Sequence, residues 1–127
     1  MEQWRHNRIL LSVIPTSHPD WIITVTFYTA LHAVDALLEF DGVQRVHSHE
    51  SRNNVLNRTR RYEKIWDHYQ PLYDLSRRIR YLASPRDWIR ADDIPGKVFS
   101  RFLFPIENSA HGLMGLEHTA PSIALHH

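Results

Sequence analysis

The sequence has no cysteine, which removes disulfides, cysteine-ligated zinc and a thiol nucleophile together. Only four of its 127 residues are glycine. None of them falls in a phosphate-binding loop, a nucleophile elbow or a dinucleotide fingerprint. Lysine is scarce as well: of 15 lysines and arginines, only Lys64 and Lys97 are lysine. No run of about 20 apolar residues stands out as a membrane span. The opening stretch MEQWRHNRILLSVIP is charged and too short in apolar length for a signal peptide. These absences lead to the expectation of a cytoplasmic protein with no membrane attachment and no cofactor.

What remains is a globular composition, 43% hydrophobic and 23% charged, in a chain long enough for one domain with a modest core. A net charge of +1 does not announce a nucleic-acid binder. The preference for arginine says more, because its planar fork of donors suits phosphate and carboxylate and stacks on rings. A GC-rich coding sequence would produce the same preference.

Apolar spacing and breakers predict an all-α bundle of four to five helices in a single domain over residues 1–119, with a loose tail over 120–127. The first helix is expected over Glu2–Ile14, stopped by Pro15. The second runs from Pro19 or Asp20 to Phe40 and ends at Asp41-Gly42. A third is expected over Ser48–Ile65 with Ser48 as its N-cap. A fourth over Asp67–Ala83 places Pro71 near its first turn, where proline costs least. Residues 86–93 read as a polar loop, and a fifth helix over Ile94–Glu117 is expected to kink or divide at Pro105. The stretch Ile22–Tyr28 is β-prone by propensity, but the longer helical pattern around it prevails.

Three clusters can carry chemistry. On the second helix, Tyr28, His32, Asp35 and Glu39 are spaced four, three and four apart, a polar line on an otherwise apolar element. Buried polar groups need partners, so His32 and Asp35 belong either to a satisfied core network or to a cleft. At the start of the third helix, His49 and Arg52 share a face, near backbone N–H groups that attract anions. The bland reading there is a capped, solvated helix start. On the fourth helix, Arg77, Arg80 and Tyr81 share a side, while Asp74 and Arg78 form an expected surface pair. An arginine pair beside a tyrosine suits a phosphate or a stacked base, and equally suits an internal carboxylate such as Asp35 or Glu39.

Taken in order, Asp20-Trp21, the segment Phe27–Ala36, Ser48–Arg52 and Leu75–Tyr81 resemble a group of small HEPN-like proteins over residues 20 to 83. The resemblance implies a HEPN-like helical bundle that brings His32, Asp35, His49, Arg52, Arg77, Arg80 and Tyr81 towards one another. It also implies an RNA-acting protein, of which many family members are metal-independent endoribonucleases in toxin–antitoxin, phage-defence and RNA-processing systems. Others are noncatalytic partners. Catalytic members carry an arginine and a histidine with a short spacer and assemble the site across a dimer. Arg61 and His68, with six residues between them, match that pattern here. They straddle the expected junction of the third and fourth helices.

Three functions follow. In RNA cleavage without metal, a histidine serves as acid or base and an arginine stabilises charge on the phosphate. The competing pairs are Arg61 with His68 and His49 with Arg52, while Tyr28, His32, Asp35, Arg77, Arg80 and Tyr81 hold substrate or form a polar core. In the second, the bundle is a noncatalytic scaffold for a protein or nucleic acid. In the third, His32, Asp35, His47 and His49 ligate a metal. The expected partners are RNA and either a second copy or another helical protein, since so short a chain leaves apolar faces to cover.

Overall fold

The computed structural model describes residues 2–13, 19–44, 46–81 and 98–116. Among these the ordered elements are helices, with no strand. They are α1 (Glu2–Leu11), α2 (Pro19–Phe40), α3 (His49–Arg58), α4 (Glu63–Tyr81) and α5 (Phe104–Leu113). A 3-10 turn, Arg60–Tyr62, leads into α4, and a π turn, Phe99–Leu103, leads into α5. The expected helical bundle is therefore observed. The loop at 86–93 and the tail at 120–127 lie outside the described residues.

α2 is the central helix. Ile22, Ile23, Phe27, Ala30, Val34 and Leu37 are buried, and they occupy more than one face of it. They pack with Leu56 of α3, Ile65, Tyr69 and Leu72 of α4, and Leu103, Ile106 and Ala110 of the α5 segment. Burial on that scale stabilises the helix far more than local propensity does, which is why the β-prone run Ile22–Tyr28 is helical. By length and composition, Trp21–Phe40 also meets the requirement for crossing a membrane, contrary to the expectation that no such run exists. Most of that stretch, 61%, is buried inside the bundle, as befits a core helix.

Two helices end at glycine in the same way. After α2, Gly42 takes a φ of 74°, its N–H bonds to the Glu39 carbonyl, and the Val43 N–H reaches back to Leu38. After α5, Gly115 takes a φ of 71°, bonding to Gly112, while the Leu116 N–H reaches His111. Both are Schellman ends, and the left-handed residue is the one that needs to lack a Cβ. The second of them stops α5 at Leu113, short of the expected Glu117. α1 likewise stops at Leu11, short of the expected Ile14.

The largest departures lie between the third and fourth helices. Thr59 is extended, with φ −104° and ψ 118°, so α3 closes at Arg58 and α4 begins at Glu63. The periodic set Val55, Leu56, Thr59 and Tyr62 runs straight through this break, and periodicity alone cannot see it. Pro71 consequently lies inside α4 rather than in its first turn. Its ring removes a hydrogen bond to the Asp67 carbonyl, and Asp67 is exposed to water. Pro105 does divide the last helix: the Phe104 N–H bonds back to Phe99, a wide turn that resets the ladder just before the proline. Asp74 accepts a hydrogen bond from Gln70 at 2.6 Å, and no ion pair joins it to Arg78 among the described residues, contrary to the expected surface pair.

Candidate functional site

The N-terminus of α3 sets the geometry. Ser48 and Ser51 form a reciprocal capping box, each side chain meeting the other residue's backbone N–H at 3.1 Å. This fixes His49 and Arg52 on the face turned towards α2. Arg52 is buried and grips Asp35 with two parallel bonds, Nε to Oδ1 at 2.7 Å and Nη2 to Oδ2 at 3.1 Å. Its side chain is 9% exposed and that of Asp35 is 36% exposed, so the pair lies at the edge of the core. The remaining amino group, Nη1, approaches His49 Nδ1 at 3.4 Å. A guanidinium only donates, so Nδ1 is the accepting nitrogen in this contact.

Around this polar line lies an aromatic one. The His49 ring is 5.8 Å from Phe27 and 5.6 Å from Tyr73, and Phe27 also touches Tyr28, Tyr69 and Tyr73. The Arg77 guanidinium stands over the Tyr73 ring at 5.6 Å. The Tyr69 hydroxyl is fully buried beside Arg52 without completing a well-formed hydrogen bond, and burial pushes its pKa up. His32 lies below its ordinary value of 6.5, chiefly because it is buried; the charge of Asp35 opposes that shift and Arg52 adds to it. Asp35 also forms part of the wall of an open cleft of about 520 Å³, with Glu39, Val43, Gln44, Val46 and His47.

Asp35, Arg52 and His49 thus meet directly, His32 lies within their electrostatic reach, and Arg77 joins through Tyr73. Tyr28 touches Phe27 edge-on. The side chains of Arg80 and Tyr81 lie outside the described residues. Arg61 and His68 are not brought together by any hydrogen bond or ion pair. Arg61 instead bonds bidentately to Asp41, at 2.9 and 3.1 Å, and to the Leu113 carbonyl at 3.0 Å. Tyr62 donates to the same carboxylate. These bonds, Arg61's foremost, hold the Asp41 carboxyl below its usual range, while burial and that bond push the Tyr62 phenol up to about 12. Among the described residues no three histidines and carboxylates gather as a metal site, so His32, Asp35, His47 and His49 do not form a cage.

A second polar cluster has no counterpart among the expected site residues. Trp4 Nε1 and Arg8 Nε both donate to Glu107 Oε2 at 2.7 Å, and the His111 ring packs edge-on against Trp4 at 4.7 Å. Arg8 also stands over Phe104 at 5.3 Å. The sequence signal was present as two i, i+4 pairs, Trp4 with Arg8 and Glu107 with His111, each on one helix face.

No family model, curated protein or solved structure matches this chain.

Proposed function

We propose that this chain is a HEPN-like, RNA-acting cytoplasmic protein of the toxin–antitoxin or phage-defence type. On this reading it cleaves RNA without a metal, and His49 is the acid–base group. The observation that supports this is that His49 contacts Arg52, which orients it, and the Tyr73 ring, over which the exposed Arg77 stands. Asp35 neutralises much of Arg52, so Arg52 acts as the positioning residue and Arg77 meets the phosphate. The competing pair is weaker because the donors of Arg61 are engaged with Asp41 and Leu113.

The test is cleavage of labelled RNA in the presence of a chelator. His49→Ala should abolish cleavage with helicity retained, whereas Arg61→Ala and His68→Ala should leave it within a few-fold. Loss in the latter two alone would move the site to the family-pattern pair.

A noncatalytic scaffold is the second reading, favoured by the carboxylate pairing of both Arg52 and Arg61. Binding of RNA with no cleavage by the native chain would select it. On either reading we propose a homodimer or a helical protein partner. The exposed Ile9 and Val13, four residues apart around the end of α1, support such a contact. A light-scattering mass of one chain at micromolar concentration, with no partner recovered, would exclude it.

A further inference from the structure

Tyr73 and Arg77 are four residues apart on α4, which stacks one above the other on the helix surface. The guanidinium lies 5.6 Å from the ring centroid, inside cation–π range. His49, the first residue of α3, brings a second flat ring to 5.6 Å from Tyr73, tilted by 49°. Phe27, buried in the core, backs both rings at 5.8 and 5.9 Å and holds them in place. Tyr73 and His49 are half-buried and Arg77, over the Tyr73 ring, is exposed, so the rings are backed by the core and partly reached by solvent beside Arg77.

Its place on a ring separates Arg77 from the arginines that pair with carboxylates. Arg8, Arg52 and Arg61 are each matched by a carboxylate. Arg77 has no carboxylate partner among the described residues, and its planar cation rests on a ring. A pair of rigid rings beside an uncompensated guanidinium complements a ligand with a flat π-face and an attached anion. A nucleotide unit has both.

We propose that Tyr73, His49 and Arg77 form a nucleobase-stacking subsite, which takes an unpaired base against the rings and the adjoining phosphate on Arg77. This deepens the RNA-acting reading and rests on it. It makes a specific demand: the strand must offer free base faces, because a sugar–phosphate backbone satisfies Arg77 alone.

The test compares labelled oligoriboadenylate with an abasic strand of equal length, by fluorescence anisotropy on the full chain. The native protein should bind the base-bearing strand about ten-fold more tightly, as expected for one or two stacked bases. Tyr73→Leu should erase that preference and Tyr73→Phe should keep it, which separates lost stacking from lost packing. Arg77→Ala, at an exposed position, should weaken both strands. Arg77→Lys should restore the abasic strand's binding better than the preference, since an ammonium supplies charge without a plane. Equal binding of the two strands by the native chain overturns the subsite and leaves the RNA reading intact. Binding of neither strand overturns the RNA reading, and the subsite with it.

Discussion

Arg8 with Glu107 and Arg52 with Asp35 are the same chemical pair in two surroundings. In the first, the side chains are 3% and 0% exposed, and Trp4 shares the carboxylate oxygen. In the second, the arginine is nearly buried but Asp35 is 36% exposed and forms part of a cleft wall. A sealed pair fastens helices, because either charge left alone in the core is very costly. A pair at the core's edge can orient a neighbour, here His49, while one partner stays in touch with water. The difference lies in the depth of the carboxylate, since both arginines are buried.

The most severe way to test this contrast is to break the sealed pair. Arg8→Met should cost about 3–5 kcal/mol, because it takes a buried opposite charge away from Glu107. Replacing both partners together, as Arg8→Met with Glu107→Leu, should recover much of that loss, and thermal denaturation of the single and double variants measures it. A double variant as unstable as the sum of the singles would mean that the pair holds the fold by more than mutual neutralisation.

A smaller loss, about 1–2 kcal/mol, is expected for Arg52→Ala, since Asp35 can turn to solvent and water screens the pair. If Arg52→Ala proved as damaging as Arg8→Met, the site would be core and the contrast would collapse.

The smallest effect is in pH. The folded protein lowers the His32 pKa below 6.5, so the unfolded chain binds the proton more readily. The contribution to stability is therefore fully present above 6.5 and is lost as pH falls through the lower, folded value. His32→Gln should flatten the stability curve in that window and leave it unchanged above neutrality. An unaltered slope below 6.5 would show that burial in the fold does not lower the His32 pKa.

The two clusters were not equally legible. Asp35, His49 and Arg52 declared themselves because each sits at a telling place within its own helix: a carboxylate in an apolar run, a histidine and an arginine just after a serine cap. Ser48, Asp41-Gly42 and Pro105 marked boundaries for local reasons that hold in any fold. Thr59 did not, because nothing in its side chain forbids a helix and the apolar spacing continues across it. Pro71 was misplaced as a consequence of that missed break. The bonds of Glu107 to Trp4 and Arg8 span separations of 103 and 99 residues, a distance over which periodicity carries no information. The Arg61–Asp41 pair was missed on the same ground.

Those long separations also govern how the chain is assembled at the ribosome. α1 is made first, but the carboxylate that neutralises Arg8 and satisfies Trp4 belongs to α5, close to the last of the described residues. At ordinary elongation rates of about 5–20 residues per second, Arg8 waits roughly 5–20 s for Glu107. Through that interval α1 has only α2 to lean on, and the bundle cannot close. Shortening the wait by circular permutation, so that α5 is synthesised directly before α1, would bring this contact within reach early in synthesis.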